Sequence, residues 1–113
     1  MCKNEKELLE KILTNHKELF EILCKEGNQD IIYAIRTIER NIEYMEAFVN
    51  NEEDIEIYEL LHSIKKNYYS MYTPRGGFNE FYIWKENSDD AYEANLEVDR
   101  IKDELNKYFN SVN

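Results

Sequence analysis

Residues that interrupt helices are scarce in this chain. Its 113 residues include one proline and three glycines, and the proline falls beside two of the glycines, at Pro74, Gly76 and Gly77. Proline and glycine are the strongest breakers of helices, so their scarcity elsewhere favours long, uninterrupted helices. The cluster marks one connection as different from the rest of the chain.

Cysteine is also rare, with Cys2 and Cys24 as the two examples. If residues 5–25 form one helix, these cysteines lie about 30 Å apart at a rise of 1.5 Å per residue. That separation excludes a disulfide between them. No Cys-x-x-Cys or Cys/His spacing indicates a zinc site. We expect two reduced thiols, with Cys24 packed against the protein.

The sequence has no long apolar run and few basic residues for its number of acids. No segment is apolar enough to cross a bilayer or to resemble a signal peptide, so we expect a cytoplasmic protein. There are 14 Lys and Arg against 24 Asp and Glu, a formal net charge of −10. This balance argues against sequence-independent binding of nucleic acid, which depends on basic side chains. It favours attraction of a basic partner, or simply a solubilising acidic surface.

Apolar residues recur at spacings of three and four in four segments, which predicts four amphipathic helices. The predicted ranges are 4–26, 30–49, a third helix that starts between 52 and 54 and ends near 72, and a fourth from 89 or 90 to 109. Asp90 and Glu93 have the spacing of a capping box at the start of the fourth helix. Residues 110–113 are expected to fray.

The clearest apolar stripe belongs to the second helix, with the residues Ile31, Ile35, Ile38, Ile42, Met45 and Val49. Tyr58 is expected on the buried side of the third helix, and His16 lies on the apolar stripe of the first, where a hydrogen-bonded core histidine is the expectation. Two short connections favour antiparallel neighbours. The fold class predicted for residues 1–113 is therefore a single all-α domain, an antiparallel four-helix bundle. An intermolecular coiled coil or a weak homodimer through the second helix is the alternative to a monomer.

Aromatic residues concentrate in the long connection between the third and fourth helices. Residues 68–84 hold seven of the 15 aromatic side chains. Connections this long are usually functional in compact domains, and Tyr, Trp and Arg are enriched at binding hot spots. The rings can serve equally well as a plug for the open end of the bundle. We expect the segment to fold across that end, partly buried.

Two acidic groups accompany the predicted starts of the third and fourth helices, residues 52–59 and 86–99. Helix dipoles explain one or two acids at each start but not the excess. In an up-down-up-down bundle, the second group lies at the same end as the aromatic connection. The candidate partner-binding residues are Tyr72, Arg75, Phe78, Tyr82, Trp84, Asp89, Asp90 and Glu93.

Signals for catalysis, cofactors and metals are weak. Gly76-Gly77 lacks the spacing of a phosphate-binding loop. Glu59 and His62 have the spacing of a di-iron ligand pair, but no second copy exists, because Leu13 occupies the matching position before His16. We expect no catalytic residue, cofactor or metal site.

The segment Tyr72-x-Pro74-Arg75-Gly76-Gly77-x-x-x-Phe81-Tyr82-Ile83-Trp84 resembles a segment of small uncharacterised proteins from low-GC Gram-positive bacteria. Some of those look like immunity proteins against secreted or contact-dependent toxins. The resemblance implies a bacterial cytoplasmic protein and transfers no functional residue.

Together these features predict a small acidic protein-interaction module, an immunity or inhibitor protein that binds a basic protein through residues 72–84. The alternatives are a helical bundle that binds or transforms a small molecule in a pocket under that connection, and a passive homo-oligomer.

Overall fold

The computed structural model describes residues 3–26, 29–50, 56–72, 77–78 and 81–112. These residues form four α-helices and no strand: α1 Lys3–Glu26, α2 Ile32–Val49, α3 Ile57–Ser70 and α4 Ser88–Phe109, with a 3-10 turn at Gln29–Ile31 before α2. The predicted fold class is confirmed. The chain is an all-α, antiparallel four-helix bundle with a long connection between α3 and α4.

Helix α1 packs against each of the other three helices, and α2 also packs against α3. Side-chain pairs show the antiparallel order. Lys17 of α1 forms an ion pair with Glu46 late in α2, and Arg100 of α4 bonds to Glu18 of α1. The hydroxyl of Tyr33, near the start of α2, lies 3.0 Å from that of Ser70 at the end of α3. The bundle is elongated, with principal extents of 48 × 24 × 24 Å.

The core consists of the predicted apolar stripes. Leu9, Ile12, Leu19 and Leu23 of α1 are fully buried. In α2 the stripe residues Ile38 and Met45 are buried within this single chain, whereas Val49 at its end is exposed. The stripe that would have made an intermolecular coiled coil is therefore used within the bundle.

One buried polar network crosses the core at His16, which is fully buried. Its Nδ1 donates to the carbonyl of Ile12 at 2.9 Å, and its Nε2 lies 3.1 Å from Asn41 Nδ2, which donates to it. Asn41 also donates to the carbonyl of Ile64, and its Oδ1 accepts from Asn67. The network ties α1, α2 and α3 together and leaves the imidazole neutral, since burial lowers its pKa to about 4. The expected role of His16 as a hydrogen-bonded core residue is confirmed.

Three predicted boundaries are wrong. Glu56 is extended, with φ −74° and ψ 139°, and its carboxylate caps α3, so that helix starts at Ile57 and not between residues 52 and 54; residues 51–55 lie outside the described part of the chain. Asn87, not Asp90, caps α4. Val112, which was expected in a frayed end, is buried, and its carbonyl accepts from Lys65 at 2.9 Å.

Two predicted burials also fail. Tyr58 is 46% exposed, because Leu60 and Leu61 occupy the inward positions of α3. Cys24 is exposed on α1 and free, because the inward positions at that end of the helix belong to Leu19 and Leu23. Cys2 is outside the described residues.

Candidate functional site

The described residues of the connection between α3 and α4 lie in two places. Phe78 packs in the core, and residues 81–85 lie along α4. Phe78 is fully buried, and its ring lies 6.5 Å from that of Tyr68 and 5.2 Å from that of Tyr72, centroid to centroid. Its backbone N–H donates to the carbonyl of Met71 at 3.1 Å. Tyr68 also packs on Phe109, with centroids 5.2 Å apart. These rings join α3 to α4, as the plug interpretation of the aromatic segment predicts.

The next described residues, 81–85, lie along α4, where the side chain of Asn95 bonds to their backbone. Asn95 Oδ1 accepts from the backbone N–H of Ile83 at 2.9 Å, and Asn95 Nδ2 donates to the Ile83 carbonyl at 3.0 Å. The second Nδ2 hydrogen is donated to the carbonyl of Ala91 at 2.7 Å. Residues 81–85 are not in a helix or strand, so their backbone groups have no regular hydrogen-bond partners. The side-chain amide of Asn95 supplies both partners for the backbone of Ile83.

This attachment fixes which side chains face outward. Ile83 is buried, whereas Tyr82 and Trp84 on either side of it are 46% and 83% exposed. The two exposed rings touch edge to face, with centroids 4.9 Å apart. Next along the chain, Lys85 forms an ion pair with Glu26 at the end of α1. Side chains alternate between the two sides of an extended segment. Tyr82 and Trp84, two residues apart, therefore lie on the same side, opposite the buried Ile83.

The acids at the start of α4 follow this pair closely along the chain, since α4 begins four residues after Trp84. Asn87 caps the helix, since its Oδ1 accepts from the N–H groups of Asp89 and Asp90 at 2.8 and 3.3 Å. Asp89, Asp90 and Glu93 are exposed, and the described residues offer them no ion-pair partner. By contrast, Arg100 bonds to three carboxylates, those of Glu18, Glu97 and Glu104. Within the described residues, the carboxylates at the start of α4 are therefore not neutralised by an ion pair.

Sequence reasoning did not include in the site two exposed apolar residues of the first half of α4. Tyr92 and Leu96 are 64% and 47% exposed on α4. They are four residues apart, on the side of the helix away from the buried Ala91 and Val98. Their spacing of four residues, on the side of α4 opposite the apolar stripe, could have predicted from the sequence that both are exposed. We call the whole region the Trp84 surface, comprising Tyr82, Trp84, Asp89, Asp90, Tyr92, Glu93 and Leu96.

The predicted site residues are therefore divided between two environments. Phe78 is part of the core, and Tyr72 is half-buried with its hydroxyl 2.6 Å from that of Tyr68. Burial raises the pKa of Tyr72 to about 12. Neither ring belongs to the exposed region around Trp84. Arg75 lies outside the described residues.

Lys102 covers the inward rings from the α4 side. Its Nζ lies 4.3 Å from the centroid of Phe78 and 5.9 Å from that of Tyr72, in cation–π geometry. Burial lowers the pKa of Lys102, and nearby Asp99 acts in the opposite direction. The Lys102 side chain therefore covers the buried Phe78 ring from the α4 side, whereas Tyr82 and Trp84 of the same connection are exposed.

One cavity near the connection, lined by described residues, is small. A cavity of about 190 Å³ lies beside Ile83 and Lys85, against α1 and α4; typical small-molecule sites have volumes of roughly 300–1,000 Å³. An open groove of about 480 Å³ lies farther along α1 and α4, lined by carboxylates that include Glu7, Glu10 and Glu104. None of the residues that line this groove belongs to residues 72–84.

In the described part of the chain, no three His, Cys, Asp or Glu side chains are grouped in a way that suits a metal ion. No helix there combines the length and apolar character needed to cross a bilayer. Comparison of the chain with protein-family models, curated proteins and solved structures finds no match.

Proposed function

We propose that this protein is a binding module that holds a basic protein partner on the Trp84 surface. The observation that carries the proposal is the exposure of Trp84, 83%, on a segment fixed at both backbone groups of its neighbour Ile83. Tryptophan is the side chain most enriched at binding hot spots. A ring held in place before binding loses less conformational entropy on docking.

Charge supplies the second argument. The protein has a net charge of −10, and Asp89, Asp90 and Glu93, which follow the exposed rings along the chain, have no ion-pair partner among the described residues. A negative field of this kind attracts basic proteins and can raise association rates by about 10- to 1,000-fold at low salt. Exposed rings next to carboxylates suit a partner that presents arginine or lysine, because such cations pair with acids and stack on aromatic faces.

The resemblance of residues 72–84 to immunity-like bacterial proteins supports one version of this role. In that version the protein is a cytoplasmic immunity or inhibitor protein, and its partner is a basic toxin, such as a nuclease or a pore-forming protein. Docking of the partner's basic surface would then block the toxin.

Site-specific photo-crosslinking in the source organism tests the proposal. A photoreactive phenylalanine analogue replaces Tyr82 in one variant and Tyr58 in its control; both tyrosines are 46% exposed. We expect position 82 to capture one basic protein that position 58 does not capture. Trp84→Ala and high salt should each abolish that product. Equal products at both positions, or none at position 82, would overturn the proposal.

A further inference from the structure

The exposed side of α2 carries two arginines without internal partners. Arg36 and Arg40 are exposed, and no ion pair or hydrogen bond engages either guanidinium within the described residues. They stand four residues apart, where like charges repel. Tyr33 and Tyr44, each 44% exposed, precede and follow them on the same side of the helix. We call Tyr33, Arg36, Arg40 and Tyr44 the basic stripe.

An unpaired arginine pair is unexpected in a chain with 24 acids and 14 bases. Arg100, by contrast, forms ion pairs with three carboxylates. An arginine of this protein can therefore find acidic partners within the chain. Tyr33 is also held in position, since its hydroxyl lies 3.0 Å from Ser70 Oγ on α3. Tyrosine and arginine that stand exposed on a fixed helix face match the composition of binding hot spots.

The Trp84 surface has the complementary charges at the same spacing. Asp89 and Glu93 stand four residues apart on α4, as Arg36 and Arg40 do on α2. Residues four apart on a helix are about 6 Å apart, so two helices laid side by side would form two arginine–carboxylate pairs at once. Tyr92 and Leu96 supply apolar contact on the α4 side, as Tyr33 and Tyr44 do on the α2 side. No hydrogen bond or ion pair joins α2 to the Trp84 surface among the described residues.

We propose that two copies of this chain associate head to tail, with the basic stripe of one copy on the Trp84 surface of the other. The inference rests on the docking surface proposed above and names a second copy as an occupant of it. The contact covers only short stretches of two helices, and each copy has a net charge of −10, so the association is weak. A basic partner would compete with it for the same surface.

Charge reversal in both halves of the contact tests this inference by sedimentation velocity, from about 10 μM to about 1 mM, the range in which weak contacts form. The wild type should sediment faster as its concentration rises. Arg36→Glu/Arg40→Glu and Asp89→Lys/Glu93→Lys should each remain monomeric alone. Their equimolar mixture should associate again in a 1:1 ratio, because the reversed charges match between the two variants.

The control is Lys6→Glu/Lys107→Glu, which changes the net charge by the same amount as the arginine variant at two exposed sites outside the contact. It should associate like the wild type, and circular dichroism should show an unchanged fold in every variant. A wild type that stays monomeric throughout, or a mixture that stays monomeric, would overturn the inference. Crosslinking of a basic protein at position 82 would still support the docking surface, so the two proposals can fail separately.

Discussion

The side-chain amide of Asn95 forms two hydrogen bonds with the backbone of Ile83, at 2.9 and 3.0 Å, and so holds a non-helical segment against α4. This contact buries Ile83 and leaves Tyr82 and Trp84 outside. The orientation of the exposed rings therefore depends on a residue that is itself outside the Trp84 surface.

Replacing Asn95 should release this segment. Asn95→Ala removes both bonds to Ile83, and we expect a loss of about 1–3 kcal/mol in the free energy of unfolding. The amide hydrogen of Ile83 should exchange with solvent much faster, as measured by NMR. Asn106→Ala is the control, because it removes another α4 amide contact, the 2.7 Å bond from Tyr69. Unchanged protection of Ile83 in Asn95→Ala would show that the segment is held in some other way.

The two parts of the connection should differ sharply in their contribution to stability. Phe78 is fully buried among Tyr68, Tyr72 and Phe81, so Phe78→Ala should cost about 3–5 kcal/mol. Trp84→Ala should change stability by less than about 0.5 kcal/mol, as exposed substitutions do. Urea unfolding measures both. A loss above about 2 kcal/mol for Trp84→Ala would place that ring in the core.

Acid should destabilise the fold through His16. Its pKa is about 4 in the folded protein and 6.5 as the unperturbed value, so between these pH values the unfolded chain binds a proton that the folded protein does not. The resulting stability is present above pH 6.5 and is lost as the pH falls toward 4, by roughly 3 kcal/mol in total.

Urea unfolding of the wild type and His16→Gln at several pH values between 4 and 7 isolates this effect. The decline in stability should be smaller in His16→Gln than in the wild type. His62→Gln, at an exposed position of α3, should retain the wild-type decline. Parallel curves for the wild type and His16→Gln would remove His16 as the cause.

The sequence predicted the parts of the fold that depend on local periodicity. The stripes containing Leu9, Ile38 and Val98 are buried as their spacing required. Helix starts were less predictable, because Asn and Asp are about equally good N-cap residues and the sequence offers Asn87, Asp89 and Asp90 close together.

The sequence predicted the location of the candidate site but not which of its aromatic side chains are exposed. Composition located the aromatic connection and the acids beside it, but it could not divide the rings between core and surface. That division depends on the contact between Ile83 and Asn95, which lie 12 residues apart and belong to different elements. Tyr92 and Leu96 could have been identified from their spacing, since they lie off the apolar stripe of α4.

Trp84 provides the most direct test of the central claim, that an exposed aromatic pair lies in the negative field of the acids at the start of α4. It is the only tryptophan of the chain, so its fluorescence reports this site alone. We predict emission close to that of tryptophan in water, quenched more efficiently by cesium than by iodide relative to a free tryptophan derivative. Replacing Asp89, Asp90 and Glu93 by their amides should reduce that preference. Blue-shifted emission that neither ion quenches, or equal quenching by both ions, would contradict the account.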